Sequence, residues 1–138
     1  MDVGSQFPAV EARSRGLRRA VRVAAAAHLA AMSLQAALAL GLLAGSAQAF
    51  SAHGWNARVV LALAVTQASL AVAHGPRRTG LWLTLFAVAL VALEGAQIWL
   101  GSRGIAEAHV LNGLLIWSLS LAVLIKVASP GWAIAPPP

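Results

Sequence analysis

Four histidines in or at the edges of long apolar runs, and the one carboxylate deep inside a run, stand out: His28, His53, His74, His109 and Glu94. An ionisable side chain is expensive there, so each is a candidate for function. His53 stands at the mouth of the second apolar run and His109 within the first turn or so of the fourth. In an up-down-up-down bundle those two runs are parallel and diagonally opposed, which brings the imidazoles within about 5 Å in depth at 1.5 Å rise per residue. Two neutral imidazoles at one depth are an axial ligand set for haem iron. Arg58, five residues after His53, suits a haem propionate, and Asn112, one turn after His109, suits the orienting of a ligand. The candidate cofactor site is therefore His53, His109, Arg58 and Asn112, with the two histidines as metal ligands to one haem b.

The remaining polar groups are harder to place. His28 and His74 make a poor second pair, since their depths differ by roughly 10 Å at the same rise. Glu94 lies less than two turns from the end of the third run at Leu100. It either relays protons beside His53, His109 and Arg58, or hydrogen-bonds to Gln97 or a neighbour. Gln35 and Gln67 read as interhelical hydrogen-bonding residues. Trp55, Trp99 and Trp132 read as interfacial anchors, and Trp82 and Trp117 as anchors or packing residues.

Other chemistries lack their residues. There is no cysteine, hence no disulfide, thiolate zinc site or Fe–S cluster. G-x-S-x-G, P-loop and H-E-x-x-H motifs are absent, as is a carboxylate pair on one face, so no catalytic residue is assigned. Met32, the sole internal methionine, lies far from the outer histidines, against a copper site. Nucleic acid is a poor partner for the +6 charge, because the basic residues cluster at the ends of apolar runs and not over a face.

The elements that must position these groups are membrane helices. Only 10% of the 138 residues are charged and 59% are apolar, with a mean hydropathy of +0.77; soluble domains carry about 25% charge. Four runs, 20–44, 55–73, 81–100 and 108–128, each approach the roughly 20 residues that cross a hydrocarbon core. Short Gly- and Pro-punctuated connections make consecutive helices antiparallel neighbours. The expected fold is an all-α integral membrane four-helix up-down-up-down bundle over 20–128, with tails at 1–19 and 129–138, of which 1–16 and Ala135-Pro136-Pro137-Pro138 should be disordered alone. Arg13, Arg15, Arg18, Arg19, Arg22, Arg77, Arg78 and Lys126 share one side, against Arg103 and Arg58. The positive-inside rule then puts both termini in the cytoplasm of a bacterial cell, in its inner membrane. Ala47-Gln48-Ala49 has the look of a signal-peptide cleavage site, but the preceding run of about 24 residues exceeds the usual 7–15. Alanine-rich stretches such as Ala24–Ala27 allow close helix contact. The first two and last two spans carry no convincing sequence repeat.

Residues 49–127 resemble a group of small, uncharacterised bacterial four-helix membrane proteins. The resemblance rests on Phe50-Ser51-Ala52-His53, on His109-Val110-Leu111-Asn112 followed by Gly113, and on Gln35. Glu94 departs from a polar but uncharged residue in that pattern, and His28 departs as well. The layout is similar to half of the haem A synthase fold and to membrane b-type cytochromes, which implies haem binding and electron transfer near the outer membrane face. The alternative is a non-catalytic structural or accessory subunit of a larger membrane complex. In either case the partners are the lipid bilayer and other membrane protein subunits or further copies of the chain.

Overall fold

The computed structural model describes residues 7–74, 78–129 and 132. Four helices follow one another: α1 (Phe7–Leu43), α2 (Ala47–His74), α3 (Arg78–Ser102) and α4 (Ala106–Ala128). Each helix packs on its sequence neighbours and α4 closes on α1, while the backbones of the diagonal pairs α1/α3 and α2/α4 do not approach one another closely. All four are long and apolar enough to cross a membrane. The protein is a multi-pass four-helix membrane protein. Its distal end carries the α1–α2 and α3–α4 turns, and its proximal end carries the start of α1, the end of α2, the start of α3 and the end of α4.

The interior seam follows from sequence spacing. Buried positions advance in steps of three and four: Val21, Ala25, His28, Met32 and Gln35 on α1, and Val60, Ala64, Gln67 and Ala71 on α2. The same steps give Leu83, Ala87, Leu90, Glu94 and Gln97 on α3, and Ile116, Ser120, Val123 and Val127 on α4. A 3.5-residue average repeat is the coiled-coil signature, which keeps one narrow stripe per helix facing inward. Large apolar residues such as Val23, Leu40, Leu85, Leu114 and Ile125 are exposed; in a bilayer these contact lipid tails. The proximal part of the seam is apolar, formed by Val21, Ala25, Ala71, Leu83, Ala87, Val123, Val127 and Trp132. The distal part is polar.

Helix ends differ from the sequence expectation in two places. α2 starts at Ala47 and not near Trp55, because Gly45 and Ser46 together need no longer loop. Gly45 has φ +82, and the bonds Gly45 N–H to Leu42 O and Ser46 N–H to Gly41 O end α1 in a Schellman motif. The Ser46 hydroxyl then accepts from Ala49 N–H at 3.2 Å, capping α2. Gly104 (φ +68) closes α3 in the same way, with Ile105 N–H on Leu100 O and Gly104 N–H on Gly101 O. α1 also begins earlier than expected, at Phe7, since Pro8 is tolerated in a first turn and Ala- and Arg-rich sequence favours helix beyond it. At 37 residues it is about 55 Å long, so its Arg-rich start projects past a core of about 30 Å.

Trp132 corrects another expectation. It is 4% exposed and packs in the proximal apolar cluster, not at a free interface. Arg22 reaches over its ring at 5.9 Å and donates from Nε to the Val127 carbonyl at 2.7 Å, which occupies one of the carbonyls a helix end leaves open. Trp55 and Trp99 are exposed at the distal end as expected. The first six residues, Arg77 and the Pro-rich close of the chain lie outside the described residues, as do the side chains of His74 and Arg78.

Candidate functional site

Two hairpins build the distal end with the same set of interactions. In the first, Asn56 Nδ2 donates to the Ala31 carbonyl at 2.9 Å and to Gln35 Oε1 at 2.6 Å. In the second, Asn112 Nδ2 donates to the Leu93 carbonyl at 3.0 Å and to Gln97 Oε1 at 2.8 Å. Each glutamine lies four residues after the carbonyl its asparagine engages, and each asparagine ends a His-x-x-Asn: His53 to Asn56 and His109 to Asn112. The chain thus contains an internal repeat that sequence inspection passed over. Its signal was the second His-x-x-Asn, hidden by unequal spacing. From glutamine to turn glycine is ten residues in the first hairpin and seven in the second, and from glycine to histidine eight and five. The first hairpin is longer by nearly one helical turn on each arm.

The repeat places the two histidines symmetrically on diagonal helices. Their ring centroids are 6.1 Å apart with planes inclined at 56°. His53 therefore sits a turn and a half inside α2, not at its mouth. Around His109 the contacts are dense. Its Nδ1–H donates to the Gln97 backbone carbonyl at 3.0 Å, and its Nε2 accepts from the Gln97 amide at 3.2 Å. Asn112 therefore acts on His109 through Gln97, one link further away than sequence suggested. In the first hairpin the glutamine amide turns instead to the His53 backbone carbonyl at 3.1 Å. His53 Nδ1 is left buried without a hydrogen-bond partner among the described residues.

Glycines make room for this arrangement. A Cβ at Gly101 would lie 3.0 Å from His109 Cε1, and one at Gly113 would lie 3.1 Å from Gln97 Nε2. Gly101→Val should therefore push the imidazole off the Gln97 carbonyl, at a cost of about 1–3 kcal/mol. The check is the hydrogen-bonded Nδ1–H resonance of His109 by NMR: it should vanish in Gly101→Val and persist in Gly95→Ala, where a Cβ meets open space.

Both histidines line a distal cleft of about 620 Å³, together with Gln35, Phe50, Arg58 and Gln97. Cofactor sites commonly span about 300–1,000 Å³. Arg58 is at this cleft as expected, exposed, with its guanidinium 4.6 Å from the centre of the Trp55 ring. Phe50 and Trp55 give the rim an apolar, exposed aromatic character.

Glu94 is not among the residues lining this cleft; of its two sequence readings, the hydrogen bond to a neighbouring helix is the one found, and the place beside His53, His109 and Arg58 is not. Its Oε1 lies 3.2 Å from His28 Nε2, and both side chains are buried. His28 Nδ1 lies 3.1 Å from Ser120 Oγ, whose hydroxyl donates to the Ile116 carbonyl at 2.7 Å. Gln67 departs from expectation too. It is 1% exposed, and neither its Nε2 nor its Oε1 has a partner among the described residues.

No protein-family model, curated protein or solved structure matches the chain.

Proposed function

We propose that the protein holds one haem b between His53 and His109 and passes electrons near one face of the membrane. The observation that carries this reading is the 6.1 Å separation of two imidazoles presented by a repeated motif on diagonal helices. Two rings bound to one metal through nitrogens at about 2 Å each have centres about 6 Å apart. The donor set agrees: among the described residues no group of three or more His, Cys, Asp or Glu could hold a bare metal ion, whereas a macrocycle needs only two axial ligands. His109 is already in the tautomer a ligand requires, with Nδ1–H fixed on a carbonyl and Nε2 unprotonated. The Gln97 amide on that Nε2 would swing aside; the equivalent Gln35 amide donates to a backbone carbonyl instead. Arg58 at the cleft rim is the counter-charge for a propionate. When bound, such a haem supplies one-electron transfer with both axial positions filled. The absorption spectrum of protein purified with ample haem tests the proposal: sharp reduced low-spin bands are expected, and a colourless protein refutes it.

A second reading has its own support. Both nitrogens of His109 are satisfied within the protein, as they would be in a purely structural hydrogen-bond network of an accessory subunit. The same spectrum decides between the two.

The charge distribution further supports an orientation with both termini cytoplasmic and the distal cleft external, in a bacterial inner membrane. A reporter fused after Pro138 should then behave as cytoplasmic, and one inserted at Gly104 as external. The reverse pattern overturns the orientation and leaves the bundle intact.

A further inference from the structure

The buried Glu94–His28–Ser120 group breaks the symmetry of the repeat. Counted from the paired glutamines, the position equivalent to His28 is Leu90, and the position equivalent to Glu94 is Met32. Counted from the paired asparagines, the position equivalent to Ser120 is Ala64. Leu90, Met32 and Ala64 are all buried in the same bundle. The fold therefore fills these seam positions with apolar side chains once, and with a hydrogen-bonded ionisable pair the other time. Packing does not require the pair, and two ionisable groups inside a membrane are costly.

The hydrogen bonds limit what the pair holds. Ser120 has one hydroxyl proton, which goes to the Ile116 carbonyl. Its oxygen must then accept from His28 Nδ1–H, leaving Nε2 to face Glu94 Oε1 with one proton between them. Every other helix side chain of this stretch is uncharged: α2 contributes Val60 and Ala64, one and two turns beyond Asn56, and α4 contributes Ile116 and Ser120. The surroundings of the pair are unequal along the bundle axis. On the distal side Glu94 is followed one turn later on α3 by Gln97, and the polar side chains of Gln97, Asn112 and His109 lead to the open cleft. On the proximal side the seam holds one buried amide, Gln67, with no hydrogen-bonded link to the pair among the described residues, and closes in the apolar cluster of Val21, Ala25, Ala71, Leu83, Ala87, Val123, Val127 and Trp132.

We propose that Glu94 and His28 form a proton-exchanging site in the middle of the bundle, filled and emptied from the distal cleft along Gln97. The site binds or releases one proton of solvent water, so its net charge changes by one unit. This much does not depend on the haem. Resting on that reading, the site also balances charge: an electron from a one-electron reductant arriving at the distal histidines is matched by one proton taken up at the pair.

The test begins with haem-free, full-length protein in lipid nanodiscs and infrared difference spectra across pH. A carboxyl C=O band that responds to pH is expected, absent in Glu94→Gln and shifted in frequency in Ser120→Ala, which acts only through His28. After a pH jump, Gln97→Leu should slow the band at least tenfold and Gln67→Leu should leave its rate unchanged. A wild type with no pH-responsive Glu94 band overturns the site. A Ser120→Ala band at its original frequency, with native helicity, does the same. Slowing in Gln67→Leu but not in Gln97→Leu overturns the distal route. In haem-loaded protein the midpoint potential should fall with rising pH by up to about 59 mV per unit, the value for one proton per electron. Glu94→Gln should flatten that slope, and an unchanged slope refutes the coupling alone. Absence of haem binding refutes the cofactor reading and leaves the infrared result to decide the proton site.

Discussion

Replacing either His53 or His109 by alanine should abolish the reduced low-spin spectrum of the haem-loaded protein. The effect is expected to be near-complete for each substitution, because the two rings come from opposite halves of the repeat and neither half supplies a second imidazole at that depth. Loss of one axial ligand leaves an open iron position and a buried cavity, so any residual haem should change to a high-spin spectrum. Asn56→Leu and Asn112→Leu make a graded comparison. Each asparagine holds the glutamine side chain of its own hairpin, whereas the bond that orients His109 runs to the Gln97 backbone carbonyl, so these variants should weaken haem retention far less than the histidine variants. Absorption spectra and haem titration of the four variants supply the measurement. A full low-spin spectrum in either histidine variant removes the assignment.

Glu94→Leu should destabilise the bundle by about 2–4 kcal/mol. Removing one partner of a buried ionisable pair costs about 3–5 kcal/mol in water-soluble proteins, and the figure is smaller in a bilayer because the unfolded reference state also finds partners. The double variant His28→Leu/Glu94→Leu should recover most of the loss, since it gives both positions the apolar character that Leu90 and Met32 already have at the equivalent sites. Unfolding titrations in mixed micelles, read by circular dichroism, measure both. A double variant no more stable than the single one would show that the polar pair is needed for packing, against the internal comparison with Leu90 and Met32.

Much of this protein was legible without a structure. The four apolar runs, their short connections and the clustering of basic residues at one end required an antiparallel membrane bundle, because a chain with 10% charge and 59% apolar residues has no other stable way to satisfy its backbone in lipid. The diagonal placement of His53 and His109 followed from that topology alone. Their approach to a ring separation of 6.1 Å did not follow from helix starts, since α2 begins at Ala47 and places His53 further inside its helix than His109 is in α4.

Tertiary structure decided the rest, and the physical reason is register. Helix boundaries in sequence are set by local signals, and a Schellman glycine followed by a capping serine hid eight residues of α2 within an expected loop. The resulting extra turn on each arm of the first hairpin concealed the repeat of Gln35, His53 and Asn56 in Gln97, His109 and Asn112. Packing across the diagonal brought Glu94 to His28 and not to His53 or His109. The burial of Gln67, His28 and Glu94 and the meeting of His28 with Glu94 across the diagonal are properties of the packed bundle that no single segment of the chain carries.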